Sequence, residues 1–227
     1  MQPKENDYVK NKKTNRNHFS SEKNMIALFE KDPIDVWVNS PGGCRTQWIS
    51  RLVGYGKEPN QSDFWNRKAC HYIRPLPVDI QLGVFCYVDD ISIALSGISN
   101  KLPSAWSVYE KMLPENESGK AEIPYTIEHW LSLISKQIDY WTNNPHFPTL
   151  ILNTDRLGDP AEFKCVRNIL NTPKNYQQWK PRTTKTSFES LAPYQKKIDK
   201  INKKLRLLPD LEVRVPNSTL KKLPILL

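Results

Sequence analysis

Apolar and polar residues follow two rhythms along this chain. Asp35-Val-Trp-Val-Asn39 is a short apolar run that stops at the turn cluster Ser40-Pro-Gly-Gly43, which predicts a buried strand and then a tight turn. Beyond the turn, Trp48, Ile49, Leu52 and Val53 recur at helical spacing. A helix is therefore expected from Arg45 or Thr46, with Gly54 or Gly56 as its stop. Upstream, Met25 to Phe29 predicts a short helical turn.

The same alternation returns twice. Gly83-Val-Phe-Cys-Tyr-Val88 reads as a second strand, followed by Asp89, Asp90 and a helical run ending near Pro103. After a polar loop from Asn116 to Pro124, Ile127, Trp130, Leu131, Ile134, Ile138 and Trp141 mark one face of an amphipathic helix. Asn143-Asn-Pro145 ends that helix, Pro148-Thr-Leu-Ile-Leu152 reads as a third strand, and Pro160 opens a helix through Phe163, Val166 and Leu170. A helix from Pro193 to Leu207 and an edge strand over Leu211 to Val215 complete the pattern. Strands alternating with helices predict an α/β fold, three layers around a central parallel sheet.

Charge and composition narrow this picture. Residues 1 to 22 are polar, basic and almost free of aliphatic side chains, so they are expected to form a flexible arm, with one domain over residues 23 to 227. The formal net charge of +9 favours anionic partners, but much of the excess lies in Lys4 to Lys13 and Lys196 to Arg206, where a solvated face is the expectation and nucleic acid is not. No apolar run is long enough for a membrane span, and the start of the chain is Lys- and Asn-rich, so a cytoplasmic protein is expected. Cys44, Cys70, Cys86 and Cys165 stand apart from one another, which predicts reduced thiols and no zinc or other metal site.

The chemistry concentrates at the first strand-turn-helix. Ligands of α/β proteins sit beyond the carboxyl ends of the strands, where helix N-terminal amides face an anion. Gly42 and Gly43 allow close backbone approach to a phosphate, Arg45 offers a fixed cationic fork, and Thr46 is placed to cap the helix and donate its hydroxyl. A full Walker loop would carry one more glycine upstream and a lysine where Arg45 stands.

The order of segments from Asp35 to Asn171 resembles the nucleotide-dependent sulfotransferases, whose fold is similar to that of P-loop kinases. Val36 through Leu52 is similar to that family's opening strand, 5′-phosphosulfate loop and following helix, the best match being Thr46, Trp48, Ser50 and Leu52. Cys70-His71-Tyr-Ile-Arg-Pro-Leu-Pro77 resembles the segment whose histidine takes the acceptor proton. Phe85 through Ser96 resembles the 3′-phosphate strand and helix, with Ser96 on the phosphate-binding serine, and Trp130 through Pro160 resembles the late helix, strand and loop.

The resemblance implies a P-loop NTPase-like fold and transfer of a sulfuryl group from 3′-phosphoadenosine 5′-phosphosulfate to a hydroxyl or amine of a small molecule, saccharide or peptide. His71 and Arg45 are then the catalytic candidates. Gly42, Gly43, Cys44, Arg45, Thr46, Gln47, Trp48 and Ser96 are the donor-binding candidates. Four positions depart from the family: Gly43 stands in the place of its lysine, Cys44 in that of a serine, Gln47 in that of a second threonine or serine, and Val88 in that of its 3′-phosphate arginine; no clear Arg-Lys-Gly segment follows near the C-terminal end. Two alternatives stand beside it: a P-loop kinase or nucleotide-binding protein using Gly42 to Thr46 with Mg²⁺ near Asp89 or Asp90, and, from the missing family lysine and arginine, a sulfotransferase fold that has lost donor chemistry and serves as a basic binding module.

Overall fold

A computed structural model describes residues 22–31, 35–53, 71–99, 127–143, 145–172 and 189–216. Their order is α1 (Glu22–Lys31), β1 (Val36–Asn39), α2 (Thr46–Leu52), β2 (Leu82–Tyr87), α3 (Ile91–Ser99), α4 (Ile127–Asn143), β3 (Thr149–Asn153), α5 (Pro160–Ile169), α6 (Gln195–Arg206) and β4 (Leu211–Arg214). Single 3-10 segments, Arg156–Gly158 and Glu189–Tyr194, lead into α5 and α6. The expected arm lies outside the described residues apart from Glu22, which opens α1; the short turn expected at Met25 to Phe29 is a helix of 10 residues.

Among the described residues the sheet has four strands in the order β1-β2-β3-β4. β1, β2 and β3 run parallel and β4 runs antiparallel to β3, so the fold is α/β on a mixed sheet rather than a wholly parallel one. The reversal is anchored at one side chain: the Tyr87 hydroxyl donates to the carbonyls of Leu208 and Pro209 at 3.2 and 2.9 Å, turning the chain back along β3. Burial pushes the Tyr87 phenol above its ordinary pKa, and Asp210 and Asp89 add to the shift.

The three parallel strands are buried on both faces, which explains why they read as continuous apolar runs, whereas β4 is largely exposed. On one face, Trp37 meets Phe29 of α1 at 4.7 Å and Trp141 of α4 edge-on at 4.9 Å, and Phe85 stacks on Trp141 at 6.0 Å. Each such ring pair contributes about 0.5–1.5 kcal/mol beyond its buried area. Gly83 is required there, because a Cβ would lie 2.5 Å from the Phe147 ring. On the opposite face Val38, Val84, Cys86, Leu150 and Leu152 are all buried. Trp48 of α2 lies 5.6 Å from Phe163 of α5.

The helix ends follow local chemistry. Asp159 caps α5, accepting from the amides of Ala161 and Glu162 at 2.7 and 3.3 Å, with Pro160 in the first turn. Asp90 does the same ahead of α3, taking the Ser92 amide at 2.9 Å and its hydroxyl at 2.7 Å. Asn202 of α6 completes that junction, donating to Asp90 and accepting from the Ile91 amide, both at 2.9 Å. Among the described residues no helix is long and apolar enough to cross a membrane. The helix stops expected at Gly54, Gly56 and Pro103, and the loop from Asn116 to Pro124, lie outside the described residues.

Candidate functional site

The loop after β1 is built from unusual backbone. Gly42 and Gly43 take φ of 99° and 63°, and Arg45 takes φ 60° and ψ 23°, the left-handed region that a side chain disfavours by about 1–2 kcal/mol. Arg45 is the N-cap of α2, and no side chain caps the helix. That corrects the expectation that Thr46 does so: Thr46 is the first helical residue, and its hydroxyl is bonded to the Ser40 hydroxyl. Ser40 Oγ also accepts the Gly42 amide at 3.1 Å, so one side chain ties the two ends of the loop together.

Gly43 serves packing as well as flexibility. A Cβ on it would sit 2.3 Å from the carbonyl oxygen of Ala94, because the loop rests directly on the α3 backbone. A side chain at position 43 would therefore meet the helix backbone. Cys44 is fully buried with Sγ donating to Gly42 O at 3.1 Å, so any ligand contact by Cys44 falls to its backbone. Trp48 is partly buried and turned toward Phe163. Ser50 bonds back to Thr46 O at 2.9 Å within α2.

His71 comes to this loop from outside it. Its Nδ1 lies 2.9 Å from Ser40 O. A carbonyl oxygen only accepts, so Nδ1 carries the proton and, in the neutral ring, the basic lone pair lies on Nε2. The following residue is clamped: Tyr72 O accepts from Asn39 Nδ2 at 3.0 Å, Gln137 Nε2 at 3.0 Å and Trp141 Nε1 at 3.2 Å. Gln137, wholly buried on α4, also reaches Asn39 Oδ1 at 3.0 Å and Ser40 O at 3.2 Å.

The Asn39–Gln137–Tyr72 cluster is the part that sequence reasoning missed. Its signal was a polar residue, Gln137, inside the apolar stripe of α4, one turn before Trp141. A buried amide in that position needs partners, and the carbonyls at the end of β1 supply them. The structure therefore brings His71, Arg45 and the loop Gly42 to Thr46 to one end of β1. Ser96 lies on α3, two residues beyond Ala94, and Gln47 in α2; their side chains, like Cys70, lie outside the described residues.

Asp89 and Asp90 are committed elsewhere. Asp90 caps α3, while Asp89 accepts from Asn153 Nδ2 at 2.8 Å and pairs with Arg156 at 3.2 Å. Arg156 reaches Asp210 as well, at 3.4 Å. Among the described residues no group of three or more His, Cys, Asp or Glu is arranged to hold a metal ion. No protein-family model, no curated protein and no solved structure matches this chain.

Proposed function

We propose that the chain is a sulfotransferase-like enzyme of P-loop-like fold, taking 3′-phosphoadenosine 5′-phosphosulfate as donor at the loop Gly42 to Thr46. The observation that carries this reading is the 2.9 Å contact between His71 Nδ1 and Ser40 O. Two segments that separately resemble the family's phosphosulfate loop and its histidine segment, 31 residues apart, thereby meet at one strand end. A strained Arg45 at the start of α2 adds to it, since left-handed side-chain residues concentrate at ligand clamps.

In this reading Arg45 and the first-turn amides of α2 neutralise the donor's phosphate as negative charge grows on it. His71, held with its proton on Nδ1, accepts the acceptor's hydroxyl or amine proton at Nε2. The new bond joins the acceptor oxygen or nitrogen to sulfur. The sulfur–oxygen bond to the phosphate breaks, and 3′-phosphoadenosine 5′-phosphate leaves with the electron pair. The Tyr72 clamp keeps the imidazole at the loop during the exchange.

Two other readings have observations of their own. A binding module without transfer chemistry is favoured by Ser40, whose hydroxyl engages the Gly42 amide and the Thr46 hydroxyl within the loop. A kinase-like site with Mg²⁺ is disfavoured by Asp89 and Asp90, each engaged by neighbouring side chains. Calorimetry with 3′-phosphoadenosine 5′-phosphate, against ATP with Mg²⁺, separates the three. Metal-independent binding lost in Arg45→Ala, with transfer lost in His71→Ala, supports the enzyme; binding without transfer supports the module; preference for Mg-ATP overturns both.

A further inference from the structure

Helix α6 carries six cations and one carboxylate in the run Gln195–Arg206, and they divide by face. At ~100° per residue, Ile198, Ile201, Asn202 and Leu205 point into the core and are buried. Lys197 and Lys204 lie on one flank and are neutralised by α4: Lys197 pairs with Glu128, and Lys204 with Asp139 at 2.7 Å and Ser135 at 2.9 Å. The ridge opposite the core is Lys196, Lys200, Lys203 and Leu207, spaced i, i+4, i+7 and i+11.

The three lysines of that ridge are exposed, and among the described residues no carboxylate pairs with them. Arg206 is also exposed but lies on the flank toward α3, where its charge acts on Asp90. Lys196 to Lys203 spans ~10 Å of helix, about one Debye length, so the ridge acts on an anionic surface as a unit. The ridge ends on an apolar tip. Leu207 caps the helix with helical dihedrals, which keeps it in line with the lysines, and is 78% exposed, the most exposed large apolar side chain among the described residues.

We infer that this ridge docks the protein on an anionic phospholipid surface, the lysines facing headgroup phosphates and Leu207 entering the headgroup layer. The tip decides between polyanions: a nucleic acid backbone offers an in-line leucine nothing to bury in, whereas an interface rewards cations joined to an apolar residue. The inference is independent of the proposed nucleotide site, whose hydrogen bonds run among Ser40, Gly42, Thr46, His71 and Gln137 rather than to α6.

The test is sedimentation of the full chain with vesicles of phosphatidylcholine alone or with 30% phosphatidylserine, and titration with a duplex oligonucleotide of random sequence. Binding to the anionic vesicles only, falling as salt rises, is expected. With about fivefold per cation near such a surface, the double variant Lys200→Ala/Lys203→Ala should partition about 30-fold more weakly. Leu207→Ser should weaken vesicle binding and leave the oligonucleotide titration unchanged. These positions are exposed, so far-ultraviolet circular dichroism should match the parent. Unaltered vesicle binding in the double variant, absence of binding, or a preference for the oligonucleotide overturns the inference.

Discussion

The side-chain amide of Gln137 and the imidazole of His71 converge on one atom, the carbonyl oxygen of Ser40, at 3.2 and 2.9 Å. One residue comes from the middle of a long helix and the other from the segment before β2, and neither is near Ser40 in sequence. The carbonyl that closes β1 thus serves as the common anchor of helix, histidine and loop. Gln137 bonds Tyr72 O as well, so it holds the histidine segment from both sides.

Replacing Gln137 with Met keeps the volume and removes the donor. Asn39 Oδ1, Ser40 O and Tyr72 O then lose a partner in a buried setting, which costs about 2–3 kcal/mol. A urea titration should show a lower midpoint with unchanged slope, while Lys136→Met, one residue away and exposed, should leave the midpoint in place.

Gly43→Ala should be among the most damaging single-methyl additions in the chain. The new carbon, whose place is fixed by the backbone it hangs from, meets the Ala94 carbonyl oxygen at 2.3 Å, and that oxygen belongs to helix backbone that cannot rotate away. The residue also sits at φ 63°. Together these predict a loss of about 2–4 kcal/mol, read as a fall in melting temperature. A fully stable variant would mean that the loop does not rest on α3.

Arg45 separates stability from binding. Its left-handed backbone costs about 1–2 kcal/mol with any side chain present and almost nothing with glycine. Arg45→Gly should therefore be about 1 kcal/mol more stable than Arg45→Ala, by chemical denaturation. On the proposed sulfotransferase function, both variants should lose affinity for 3′-phosphoadenosine 5′-phosphate equally.

Much of the framework was legible because periodicity reports burial. The strands at Val36–Asn39, Leu82–Tyr87 and Thr149–Asn153, and the helix from Ile127, fall within a residue or two of the expected places. The apolar stripe through Trp130 and Trp141 faces the sheet as its spacing requires. The direction of β4 was not legible, since strand sense depends on the distant bond from Tyr87 to the turn after α6. At the loop, glycines and arginine were visible, but their jobs were not. Gly43 answers to Ala94, 51 residues on, and Thr46 answers to Ser40 rather than to the helix it opens. Contacts between residues far apart in sequence leave no trace in local pattern, and the site is made mostly of such contacts.

Asp90 gives the fold a pH dependence with a defined sign. Burial pushes its carboxyl up, but hydrogen bonds from Ser92 and Asn202, with the charge of Arg206, outweigh it and leave the group below its ordinary value. A carboxyl lowered in the folded state stabilises above its unfolded pKa, about 3.9, and that contribution is lost as pH falls through the folded value. Asp90→Asn keeps a capping oxygen but has nothing to titrate. The variant should be less stable than the parent at pH 6, and the gap should narrow steadily below about pH 3.9. Denaturation curves for both proteins at pH 6 and pH 3 measure this directly; a gap of constant size would mean that Asp90 is not held ionised by Ser92 and Asn202.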